Sequence, residues 1–127
     1  MNLDIVKKIN SEVNKNPYLS DTEQYQLADL WTPIDSRGGD CEDYAIAKLL
    51  KLHAAGMPIE SLRLACCYVE TGEYHAVLVV AFEDKEYVLD NRYPDPQTLN
   101  DLQAIGYKPD VIQRLGGSKE WVEWKWI

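Results

Sequence analysis

A chain of 127 residues has the usual size of one domain, taken here as 1–127, and is long enough to bury a core. An apolar fraction of 46% and a charged fraction of 27%, with no repeat or low-complexity tract, exclude a disordered chain. The formal net charge of −8 argues against nucleic acid as a partner and makes any bound ion more naturally a cation.

The N-terminal stretch lacks the long apolar run of a signal peptide, and no segment approaches a membrane span. No membrane insertion is expected, and the chain as written belongs in the cytosol, although a trimmed sequence from the periplasm would look the same. Ile5, Ile9 and Val13 recur at helical spacing and predict an amphipathic first helix ending near Asn14-Lys-Asn-Pro17. Ser20 and Glu23 stand in a capping-box relation and open a second helix holding Tyr25, Ala28 and Leu30, which stops before Pro33.

Gly38 to Lys48 is the stretch that carries chemistry. Two glycines allow a tight turn, Asp40 is a preferred N-cap, and Cys41 falls on the first turn of the following helix, with Ala45, Leu49 and Leu52 on its buried stripe. Main-chain N–H groups and the positive end of the helix dipole favour thiolate there, and the same N–H groups suit the oxyanion formed when a thiolate attacks a carbonyl. Asp40, Glu42 and Asp43 oppose this as nearby anions. At about 100° per residue, however, Glu42 and Asp43 point away from the thiol and are placed to complement the dipole or bind a cation. A capping box from Asp40 to Asp43 around an ordinary buried cysteine fits the same residues.

Gly56-Met-Pro58 is a helix stop, after which the period changes. Leu62 to Val69, His75 to Phe82 and Glu86 to Leu89 read as strands, the last two joined as a hairpin through Glu83-Asp-Lys85. Asn91 to Pro96 is a turn-rich loop, and Thr98 to Ile105 reads as a short helix. Beyond Gly116-Gly117, the alternation of Val122, Trp124 and Trp126 with Glu123 and Lys125 reads as a final edge strand. Helices first and strands afterwards predict an α+β domain, with N-terminal helices packed on one side of an antiparallel sheet.

A cysteine nucleophile needs a base, and there are two histidines. His53 lies three turns along the helix of Cys41 and cannot reach it. His75 opens a buried strand, where it requires a partner, and Asp90 ends the next strand. A hairpin whose partner numbers sum to about 167 sets Asp90 opposite Val77 and diagonal to His75, with about 7–8 Å between backbones. An even sum would turn Asp90 to the other face and make Asn91 the orienter.

Trp31-Thr-Pro33, Gly39-Asp-Cys-Glu-Asp-Tyr-Ala-Ile-Ala-Lys48, His75-Ala-Val-Leu and Val88-Leu-Asp-Asn91 resemble the corresponding stretches of the bacterial transglutaminase-like cysteine proteinases. The resemblance covers about Tyr18 to Asn91. It implies a papain-like, transglutaminase-like fold, a Cys41, His75, Asp90 triad, and thiol-dependent cleavage of a peptide bond in a protein or peptide substrate. Well-studied members are calcium-dependent periplasmic proteases of surface adhesins, longer than this chain and made with an export signal. The match suggests that Asp40, Glu42 and Asp43 help bind Ca²⁺, with other carbonyls or waters completing the shell. No organic cofactor is implied, and an inhibitory protein partner is not specified.

The indole N–H of Trp31 is a candidate second oxyanion donor as well as a packing group. Cys66 and Cys67 sit mid-strand on opposite faces and read as buried, unreactive thiols. Tyr44 faces away from Cys41, and Trp121, Trp124 and Trp126 are placed either to line a substrate groove or, as four tryptophans in a small domain more often do, to build the core. The expected function is therefore a cysteine peptidase acting through a Cys41 thioester. The alternatives are amine transfer by the same triad, or a non-catalytic cation-binding or phage-type structural module.

Overall fold

The computed structural model describes residues 2–15, 41–114 and 120–125. The helix expected from Ser20 to Leu30, Trp31, Asp40, the side chains of Cys41, Glu42 and Asp43, Gly116-Gly117 and Trp126 lie outside the described residues.

Helix α1 (Leu3–Lys15) and helix α2 (Cys41–Ala54) precede the sheet. Helix α2 begins at the predicted cysteine and ends where Gly56 turns to φ +112°. There the N–H groups of Gly56 and Met57 donate to the carbonyls of His53 and Leu52, each at 3.0 Å, satisfying carbonyls that a helix end leaves open. A 3₁₀ turn (Ile59–Ser61) then leads into the strands: β1 (Leu62–Tyr68), β2 (Tyr74–Phe82), β3 (Lys85–Leu89), β4 (Lys108–Gln113) and β5 (Trp121–Glu123). Their order is β3-β2-β1-β4-β5, antiparallel throughout, with β5 at one edge as expected. Between β3 and β4, a short helix α3 (Leu99–Ala104) is opened by a reciprocal cap between Thr98 and Asp101.

Two cores lie on the two faces of this sheet. Ala76, Leu78 and Val80 of β2 pack with Ala45, Ile46 and Leu49 of α2 and Val6 of α1. Val77 and Val79 point the other way, to Leu102 of α3, Tyr107, Ile112 and Trp124. The long helices therefore occupy one face, and the C-terminal segments close the other. Cys66 and Cys67 are fully buried, one in each core.

One expectation is corrected and one strand was not anticipated. The buried stripe of α1 is Val6, Asn10 and Val13, while Ile5 stays exposed and Ile9 is partly buried. The helix is turned so that its asparagines meet the loop after β3, as described below. Lys108–Gln113 is a strand the sequence conceals, because Pro109 cannot donate to a ladder. It is accommodated at a bulge, where Cys67 pairs with Pro109 and Cys66 with Val111. Asp110 is the extra residue there; its carboxylate accepts from the Tyr74 hydroxyl at 2.6 Å, and its carbonyl accepts from the Trp124 N–H. The N-terminal helices described do pack on one side as expected, and the later helix α3 packs on the far face through Leu102.

Hairpin β2–β3 pairs Leu78 with Leu89, Val79 with Val88 and Phe82 with Lys85, so the partner numbers sum to 167. The two-residue turn places Glu83 and Asp84 at φ +51° and +63°, the primed geometry that matches strand twist.

Candidate active site

The register sets His75 and Asp90 on one face, and their side chains meet. His75 Nε2 lies 2.6 Å from Asp90 Oδ1, with Asp90 completely buried and His75 8% exposed. Asn91 is therefore not the orienter. Just past the end of β3, the chain makes a tight turn in which the Arg92 N–H donates to the same Oδ1 at 2.9 Å and the Tyr93 N–H donates to the Asp90 carbonyl. An aspartate that captures a main-chain N–H two residues on is a local turn device. It holds one oxygen of the carboxylate before any tertiary contact is counted. The loop returns to β3 through paired main-chain bonds between Val88 and Gln97.

Helix α1 fastens this loop from outside. Asn10 donates to the carbonyls of Tyr93 and Pro94, and Asn14 donates to those of Asp90 and Tyr93. A loop carbonyl withdrawn from water needs a donor, which is why amides occupy a helix face that periodicity assigns to aliphatic residues.

The second oxygen of Asp90 accepts from the Tyr107 hydroxyl at 2.7 Å, and the Tyr107 ring stands edge-on to His75, with centroids 6.4 Å apart at 88°. Arg92 Nη1 donates to the Tyr107 oxygen at 2.9 Å, and the same guanidinium forms a two-pronged ion pair with Glu70. Burial pushes the Asp90 carboxyl up. The hydrogen bond and charge of His75, the Arg92 N–H and the Tyr107 O–H outweigh burial and hold the group below its ordinary 3.8. Asp90 is thus an ion that only accepts, so His75 Nε2 carries the proton between them.

Lys48 of α2 is completely buried, and its ammonium has no hydrogen-bond partner among the described residues. Burial pushes it down and the charge of Asp90 pulls it part of the way back, to about 8 from 10.5. A recess of about 150 Å³ opens beside His75, lined by Val69, Thr71, Glu73, Tyr74 and Arg92 as well. His53 is exposed at the far end of α2, where Nδ1 lies 3.0 Å from the Met57 carbonyl, so it takes no part. Tyr44 packs toward α1, and Trp121 and Trp124 pack in the cores, as expected.

Sequence reasoning brought together His75 and Asp90 but missed Tyr107, Arg92, Glu70, Asn10 and Asn14. Only Lys48 left a signal, as a charged residue inside the apolar stripe of Ala45, Leu49 and Leu52. Among the described residues no group of three or more His, Cys, Asp or Glu side chains is placed to hold a metal ion, and no helix is long and apolar enough to cross a membrane.

The antiparallel sheet that carries the buried histidine–aspartate couple packs on a helix that starts at a cysteine. The chain belongs to the bacterial transglutaminase-like cysteine proteinases, a family that matches residues 1–125. Its fold is similar to that of calcium-bound Legionella pneumophila LapG, with a TM-score of 0.66 and 22% identity over 96% of this chain and 69% of LapG. EGTA-treated LapG gives 0.64 and 22% over 96% and 72%, and a further LapG structure gives 0.63 and 24% over 87% and 63%. No curated protein matches the chain. As a member of the family, the protein is a cysteine peptidase of transglutaminase-like fold that acts on protein or peptide substrates.

Proposed function

We propose that Cys41 is the nucleophile, His75 its base and Asp90 the residue that orients the imidazole. The buried 2.6 Å contact between His75 and Asp90 carries this reading. Because Asp90 engages Nε2, Nδ1 is the nitrogen that exchanges a proton with the thiol. The thiolate attacks the scissile carbonyl carbon, the C–N bond breaks as the imidazolium gives its proton to the departing amine, and the resulting thioester is hydrolysed by a water that His75 deprotonates. The helical start of α2 at Cys41 supports thiolate character and supplies N–H groups for the oxyanion, with the Trp31 indole as the second donor. Position 41 and Lys48 are seven residues apart, hence on one side of α2, and Lys48 feels the charge of Asp90. That relation supports an approach of the N-terminal end of this side toward the couple.

Asp40, Glu42 and Asp43 are the residues that would hold Ca²⁺. Carboxylates are the hard oxygen donors this ion takes, and similar proteins are calcium-bound and EGTA-treated forms of LapG. When bound, the ion would lie at the N-terminal end of α2.

Iodoacetamide labelling read by mass spectrometry tests the nucleophile. Near neutral pH Cys41 reacts much faster than Cys66 and Cys67, and Cys41→Ser abolishes peptide cleavage with the fold intact; equal labelling of all three thiols overturns the assignment. Calcium is tested by thermal unfolding, in which millimolar Ca²⁺ raises the midpoint over EGTA in the wild type but not in Asp43→Asn.

A further inference from the structure

A carboxylate held through one oxygen can still pivot. In Asp90, Oδ1 takes both the His75 ring and the Arg92 N–H, so the plane of the group is set by what holds Oδ2. That holder is Tyr107, 2% exposed, with its oxygen 2.7 Å away. The direction of this bond follows from the next contact. A guanidinium has five donors and no acceptor, so at 2.9 Å Arg92 Nη1 must donate to the Tyr107 oxygen. The tyrosine's single proton is then directed at Asp90.

Arg92 is itself held at the surface by Glu70, which accepts from both terminal nitrogens. A one-way chain results, in which Arg92 donates to Glu70 and to Tyr107, and Tyr107 and His75 donate to Asp90. Packing alone does not require it, since phenylalanine would fill the same space among Val77, Leu102 and Trp124 without burying a hydroxyl. Burial first, and then the bond to Asp90, push the Tyr107 phenol up, so that it remains a donor across the working pH range.

We propose that Tyr107 is a positioning residue for the His75–Asp90 couple: its hydroxyl fixes the Asp90 carboxylate, its ring edge fixes the imidazole, and the surface pair Arg92–Glu70 fixes Tyr107. This rests on the reading of His75 as base. The sign of its influence follows from the chain. A donor on Oδ2 draws charge from Asp90, so losing it leaves more for the Nε2 proton, and the imidazolium becomes harder to deprotonate. Among the described residues, the other charged groups around His75 include Arg92, Glu70 and Glu73, with Lys48 acting through Asp90.

The test is an NMR titration of the His75 ring in wild type, Tyr107→Phe and Arg92→Lys, beside kcat and KM. Tyr107→Phe keeps the ring and raises the His75 pKa by about half to one pH unit, with kcat falling roughly 5- to 50-fold and KM within about twofold. Arg92→Lys keeps the charge but cannot bridge Glu70 and Tyr107, and it moves His75 the same way by less. It serves alone should Tyr107→Phe not fold. A His75 titration unchanged, or shifted down, in every folded variant overturns the proposal. The titration needs no turnover, so undiminished cleavage by Cys41→Ser would sink the function and leave the chain from Arg92 to His75 standing.

Discussion

The side-chain amide of Asn14 donates to the main-chain carbonyl of Asp90 at 3.3 Å and to that of Tyr93 at 2.9 Å, joining α1 to the loop of the His75–Asp90 couple across 76 positions of sequence. Asn10 repeats the arrangement one turn earlier on Tyr93 and Pro94. Removing the Asn10 amide takes the donor from the Pro94 carbonyl, and removing that of Asn14 takes one of two donors from each of the Asp90 and Tyr93 carbonyls. Asn10→Ala and Asn14→Ala each lower stability by about 1–2 kcal/mol in urea unfolding, and because they share the Tyr93 carbonyl the double variant departs from additivity. Asn14→Ala also lowers kcat, through the freer Asp90.

Lys48 predicts a rise of stability with pH. Its folded value of about 8 lies below the ordinary 10.5, so between these values the unfolded chain binds more protons than the folded one. Below pH 8 both states are charged and the burial penalty is fully present; from there to pH 10.5 it is progressively relieved. In Lys48→Met this rise is absent. The urea midpoint of wild type minus that of the variant, followed from pH 7 to 10.5, isolates it from the tyrosines, which titrate in both proteins.

Asp90 has the opposite sign. Its folded pKa is held below 3.8, so the ion contributes stability that is present above 3.8 and lost as the pH falls through the folded value. In Asp90→Asn, the deficit relative to wild type shrinks as the pH falls below about 3.8, as acid unfolding followed by circular dichroism will show. With an amide at position 90 the imidazole loses its ionic partner, and kcat falls on the order of 10²–10⁴.

The β2–β3 turn offers a gain. Glu83 and Asp84 both adopt positive φ, where a Cβ is unfavourable. Replacing them together by Asn-Gly, the pair this turn prefers, raises stability by about 0.5–1 kcal/mol in urea unfolding and leaves cleavage unchanged.

How much of this was legible follows from the range of the forces involved. The meeting of His75 and Asp90 could be read because a two-residue turn fixes the register of a hairpin and the strand period of two fixes the faces. The start of α2 at Cys41 agrees with the helix start that Gly38, Gly39 and the capping preference of Asp40 predict from sequence. Strand β4 was not, since Pro109 and Asp110 look like a break until the bulge against Cys66 and Cys67 receives them. The buried face of α1 was misread because Asn10 serves as an inward residue, and only a loop some eighty positions away explains it. Tyr107 and Arg92 carry no local mark. Their roles exist only once β3, its loop and the segment before β4 are brought together.

Cys66 and Cys67 share a peptide bond yet lie in different cores, one roofed by α1 and α2, the other by α3 and the C-terminal segments. They form a pair of built-in clocks. In slow thiol trapping under native conditions, whichever sulfur is modified first reports which roof lifts first, and matching rates mean that both layers come away in a single cooperative opening.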